Sequence, residues 1–148
     1  MTGFGIVEQA GGRIVRVDHG EIRIKNGEPF TRCLSRIYDE FTEVIDRTKP
    51  DAVAIEDIFY GKNVKSLIKQ GHVRGVALLA ASRNGLPVHE YSPLEVKKSV
   101  VGYGRAEKHQ VQVMVQAILQ LGEILPEDAS DALAVAICHT HTKKETVL

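Results

Sequence analysis

The hydrophobic period changes at Phe30, and this change most narrows what the chain can fold into. Ahead of it, Gly3–Gln9 is a short strand carrying Phe4, Ile6 and Val7, and Gly11-Gly12 marks a hairpin turn. Arg13–Ile24 then alternates through Ile14, Val15, Val17, Ile22 and Ile24, as one long strand or two broken at His19-Gly20. From Phe30 onward, Leu34, Ile37, Phe41, Val44 and Ile45 recur at steps of three and four, one face of a helix that Thr48-Lys49-Pro50 ends. Ala52–Glu56 is a short apolar run closed by an acid and reads as a buried strand. The pattern then predicts a long helix over Asn63–Asn84 with Gly85 as its cap, and a strand over Leu86–Tyr91. Ser92-Pro93 starts a helix running to about Val101. Two more helices follow, over Glu107–Leu121 and from Glu127 or Asp128 to Thr140, with the tail beyond them frayed. Strands with period two followed by strands alternating with helices make a mixed α/β domain with antiparallel and parallel pairing.

Composition narrows the functional classes. At 148 residues and 43% hydrophobic, the chain suits a single domain, 1–148, with a real core. No run of apolar residues is long enough for a transmembrane helix, and the N-terminus has no signal-peptide pattern. Cys33 and Cys138 cannot make a disulfide scaffold, and both read as small core residues in a reducing cytoplasm. The net charge is zero but segregated: Lys62–His109 holds nine Lys and Arg against three acids, and the rest is correspondingly acidic. That pattern fits a nucleic-acid surface, although counts alone equally describe solvated helix faces.

Three acids stand where chemistry is placed in α/β folds. Glu56 ends an apolar strand just before a loop. Asp128 and Asp131 are three apart, on one face of the last helix. Each has an ordinary explanation: a strand-end acid facing solvent, or acids capping a helix start. Asp131, however, lies about one turn in, on a helix whose Leu133, Val135, Ala136 and Ile137 face inward. Together the three would be a hard-oxygen set suited to Mg²⁺ or Mn²⁺. Two such ions about 3.5–4 Å apart support phosphodiester hydrolysis, a chemistry that needs about four acids. Phe59 and Tyr60 follow, beside Lys62 and Asn63, on a loop suited to stacking against unpaired bases; Phe59 folding back onto the core is an even alternative. His72, His89, His109, His139 and His141 show no ligand spacing and read as structural or surface residues.

Five stretches, in order along nearly the whole chain, resemble the RuvC family of bacterial Holliday-junction resolvases in the ribonuclease H-like superfamily. They are TGFGIVE (Thr2–Glu8), DAVAIEDIFYGKN (Asp51–Asn63), GHVRGVALLAA (Gly71–Ala81), EYSPLEVKKSVVGYGRAEKHQVQ (Glu90–Gln112) and DASDALAVAICHTH (Asp128–His141). The resemblance implies a ribonuclease H-like mixed sheet flanked by helices. It implies a homodimer that binds four-way DNA junctions, nicks them symmetrically with Mg²⁺ (or Mn²⁺), two per site, and works in the bacterial cytoplasm with RuvA and RuvB. Glu56, Asp128 and Asp131 match the family's catalytic and metal-binding acids. Phe59 matches an aromatic that stacks on junction bases, and Lys97 and Lys108 match basic residues near the scissile phosphate. Lys62, Asn63, Lys98 and Arg105 complete the expected DNA-binding set.

One departure stands out. Family members carry a first strand of the type GIDPG, bearing another catalytic Asp, about seven residues before the TG[YF]G motif. Here Met1 directly precedes Thr2. In the superfamily fold that strand is central, so the expectation is that Gly3–Gln9 and Ala52–Glu56 each lack a ladder partner. The alternatives to an active nuclease are a junction-binding module without catalysis and a remnant that does not fold alone.

Overall fold

A computed structural model describes residues 2–57 and 63–143. Strand β1 (Thr2–Ala10) and strand β2 (Arg13–Ile22) form an antiparallel hairpin. Gly11 and Gly12 turn it with φ of 57° and 84°, the left-handed pair that matches the twist of the flanking strands. The proposed break at His19-Gly20 is absent, and β2 is one strand. The register instead shifts between Ile6 and Val7, which face Asp18 and Arg16, so Val17 is bulged out.

Helix α1 (Phe30–Thr48) buries Cys33, Ile37 and Val44, and ends where Lys49 turns left-handed and its N–H donates to the Ile45 carbonyl at 2.8 Å. Strand β3 (Val53–Glu56), helix α2 (Val64–Arg83) and strand β4 (Val88–Tyr91) form a parallel β-α-β unit, with Val53 opposite Val88 and Glu56 opposite Tyr91. Helix α3 (Pro93–Val100) opens on a capping box in which Ser92 and Glu95 each accept the other's backbone N–H at 3.1 Å. Helices α4 (Lys108–Leu119) and α5 (Glu127–Lys143) follow.

The main core lies between α3, α4 and α5, where Val96, Val100, Val111, Val115, Leu133 and Ile137 pack with Tyr91. A smaller cluster joins Ile22 to Cys33 and Ile37, with Phe4 and Phe41 against it. Between the two the sheet is split. Among the described residues β1 pairs only with β2, and β3 only with β4. The run Val53–Ile55, expected to be buried, is half-buried because it lines a cavity that Thr2–Gln9 of β1 also lines. Helix residues Val44 and Val73 close one face of this slot, and Val135 and Ala136 of α5 the other. The slot is broad and partly open to solvent, with a volume of about 1420 Å³. Two open strand edges with helices on both faces have the shape that an inner strand of an α/β sheet occupies.

Candidate active site

Glycines in β1 set the position of α5. A Cβ on Gly3 would stand 2.2 Å from the Asp128 carbonyl oxygen, and one on Gly5 would stand 2.6 Å from the Leu133 side chain. The start of α5 therefore rests directly on the β1 backbone, an approach that only glycine permits. The Ser130 hydroxyl, fully buried, donates to the Leu125 carbonyl at 3.1 Å and fixes the first turn. Asp128 and Asp131 consequently line the same slot as Glu56. The end of β3 is anchored in turn, because the Asp57 N–H donates to the Tyr91 carbonyl at 2.8 Å and carries the ladder past Glu56.

The electrostatics of this end of the slot are those of crowded acids. Burial pushes the Asp131 carboxyl up to about 6; Lys108 acts against the rise, while Glu127 and Asp128 add to it. Burial also raises Glu56, helped by the negative charge of Asp131 and opposed by Lys97 and Lys108. A half-buried Asp131 and a more exposed Glu56, on different elements, thus repel one another, with Lys97 of α3 and Lys108 of α4 inside the field of both. Lys108 is also paired with Glu127. Carboxylates held this way are a suitable donor set for a hard divalent cation, which would lower both pKa values. Among the described residues, however, no three His, Cys, Asp or Glu side chains stand close enough together to hold a metal ion.

The remaining candidates are spread around this centre. Lys98 and Arg105 are exposed. Asn63 caps α2, its Oδ1 accepting the Ser66 N–H at 3.2 Å. Phe59 and Lys62 lie outside the described residues. The histidines make structural contacts: His139 stacks on His89 at 4.7 Å and meets the Tyr91 hydroxyl through Nδ1 at 2.7 Å, while His141 Nδ1 meets the Ser99 hydroxyl at 2.8 Å. Cys33 and Cys138 are buried and free. Sequence reasoning missed the ion pairs joining Arg74 of α2 to Asp57 and Glu90 beside the site. No spacing along the chain signalled them.

Comparison with known proteins points the same way. Residues 1–139 match the family model described as crossover junction endodeoxyribonuclease RuvC. The chain is similar to the RuvC of Citrifermentans bemidjiense, 50% identical over 141 residues that cover 95% of this chain and 86% of that one. The RuvC of Syntrophotalea carbinolica is 52% identical over 141 residues, covering 95% and 88%. Thermus thermophilus RuvC in complex with a Holliday junction substrate superposes with a TM-score of 0.91 at 33% identity, covering 97% of this chain and 88% of that one. The ribonuclease H-like fold expected from the sequence is thereby met. With its acids on β3 and α5 and this match over nearly its whole length, the chain belongs to the RuvC family of crossover junction endodeoxyribonucleases.

Proposed function

We propose that, with a further strand in the slot between β1 and β3, the chain acts, as one domain and as a homodimer, on four-way DNA junctions, nicking two strands symmetrically with the help of a divalent cation. The observation that carries this reading is the meeting of Glu56 and Asp131 in one slot, both raised in pKa, with Lys97 and Lys108 in their field. Acids that repel in the free protein and cations beside them suit a site built for a metal ion and a phosphate. The junction bound by the Thermus relative supports the choice of substrate.

Glu56, Asp128 and Asp131 would hold Mg²⁺ (or Mn²⁺), two ions per site, which would supply Lewis-acid activation of water and charge stabilisation at the leaving oxygen. Lys97 and Lys108 hold the phosphate and offset its charge as the pentacoordinate state forms. Lys62, Asn63, Lys98 and Arg105 extend the contact to neighbouring phosphates, and Phe59 stacks on an unpaired base at the crossover. The slot between β1 and β3 takes a further strand, whose insertion draws the acids together and completes the sheet. On α2, exposed Val64, Ile68 and Leu79 fall with Gly75 within about 60° of one another at 3.6 residues per turn, a stripe suited to a two-fold partner. RuvA and RuvB as partners and a cytoplasmic setting belong to the same reading.

A specific observation favours a second reading for the chain as it stands, a junction-binding module without cleavage: no described group of three ligands is assembled. Incubation with an immobile four-way junction in Mg²⁺, read for binding and nicking in parallel, tests both. Neither binding nor nicking, with or without an added strand, would remove the proposal.

A further inference from the structure

Arg74 is the one described residue that joins α2 to the ends of both β3 and β4 through ion pairs. Its Nη2 stands 3.0 Å from Glu90 Oε1 and 3.4 Å from Asp57 Oδ1. Asp57 directly follows Glu56, and Glu90 directly precedes Tyr91, whose carbonyl receives the Asp57 N–H. The two carboxylates therefore end adjacent parallel strands, and the guanidinium lies against both. Arg74, Asp57 and Glu56 all line the slot. The Arg74 side chain is 20% exposed and its Nε is buried without a partner, whereas Asp57 and Glu90 are nearly half exposed.

Half-exposed ion pairs add little to global stability, so stabilising the fold is a weak reason for this arrangement. Their local effect is larger. Without the cation, two like charges at neighbouring strand ends push apart, and the residue displaced directly follows Glu56.

We infer that Arg74 is a positioning residue: by bridging Asp57 and Glu90 it fixes the end of β3, and with it the direction of the Glu56 carboxylate. The consequence for DNA rests on the proposed junction-binding function; the positioning itself does not. Arg74 touches neither substrate nor metal in this account. It acts through Asp57, and its effect depends on the repulsion between Asp57 and Glu90, so weakening that repulsion replaces it.

The test uses the full 148-residue chain as wild type, Arg74→Ala, Arg74→Lys and the double variant Arg74→Ala with Glu90→Gln. Site-resolved amide exchange is measured on free protein. Junction affinity is measured by gel shift. Arg74→Ala is expected to speed exchange of the Asp57 amide roughly tenfold while amides of α4 and α5 keep their protection. Junction affinity stays within about threefold, since Arg74 holds no phosphate. Adding Glu90→Gln restores slow exchange, and Arg74→Lys recovers part of that effect. Unchanged Asp57 exchange in Arg74→Ala overturns the inference. So does faster exchange spread evenly through every element, or failure of Glu90→Gln to restore it, because each describes a residue that only packs. If Arg74→Ala does not fold, Arg74→Lys against wild type decides by the same exchange measurement. A wild-type chain that binds no junction refutes the functional reading, and exchange on the free protein still decides on Arg74.

Discussion

Gly3 of β1 lies directly beneath Asp128 of α5, so close that a single added carbon would meet the Asp128 carbonyl oxygen at 2.2 Å. This contact joins the hairpin to α5 and brings Asp128 and Asp131 to the slot that Glu56 lines. Gly3→Ala must shift α5 or the strand, as overpacking does, and is expected to cost about 1–3 kcal/mol. Thermal or denaturant melting measures it. A neutral Gly3→Ala would mean that α5 does not rest on β1.

Gly75 gives the opposite expectation. A Cβ there meets nothing within 4 Å, and the residue is helical. Gly75→Ala should stabilise the monomer by about 0.4–1 kcal/mol through the unfolded state. On the exposed stripe of Val64, Ile68 and Leu79 it should also weaken self-association by crowding the approach of a second helix. Sedimentation over a concentration series reads that effect. Dimerisation that is unaffected, or absent in the wild type at tens of micromolar, would place the interface elsewhere.

Asp131 makes stability depend on pH. Its folded pKa, about 6, lies above the unfolded value of 3.8, so the folded state binds more protons between the two. Stability from this group is intact below about pH 4, falls as pH rises toward 6, and stays reduced above. Allowing for solvent screening of a partly exposed group, the penalty at neutral pH is about 1–2 kcal/mol. Asp131→Asn should therefore raise the melting temperature at pH 7.5 and leave it nearly unchanged at pH 3.5. Millimolar Mg²⁺ should stabilise the wild type more than the variant. A variant equally stable at both pH values relative to wild type would contradict the burial of this carboxyl.

Lys97 and Lys108 lie in the field of both raised acids. Replacing either with Ala should weaken junction binding and reduce the slope of log affinity against log salt by about one. In the version extended ahead of Thr2, Phe59→Ala should instead leave the slope nearly unchanged and reduce cutting, because stacking is not ionic. Gel shifts across a salt series separate the two. A slope that does not change for either lysine would remove them from the phosphate contact.

The secondary structure was legible because its signals are local. The period change at Phe30, the Gly11-Gly12 turn and the Ser92-Pro93 start each act within a few residues, and each is realised. Two things were not legible. The half-burial of Val53–Ile55 depends on what lies across the slot, not on the run itself. The Arg74 bridge joins residues 16 and 17 positions away on two strands, a distance at which no periodicity carries information. Of the expected site, Glu56, Asp128 and Asp131 line one slot, and Lys97 and Lys108 lie in the field of Glu56 and Asp131. Phe59 and Lys62 fall outside the described residues.

The central claim is that Glu56, Asp128 and Asp131 form one hydrolytic centre, completed when a strand occupies the slot between β1 and β3. Cleavage of an immobile four-way junction in Mg²⁺ tests it, using the 148-residue chain, a version extended ahead of Thr2 by an apolar, acid-bearing strand, and Glu56→Gln in that extended version. The account predicts that the 148-residue chain melts early and does not cut, and that the extended version melts higher and nicks symmetrically. Its Glu56→Gln form should bind the junction but not cut. Mg²⁺-dependent cutting by the unextended chain, or wild-type cutting by Glu56→Gln, would contradict it.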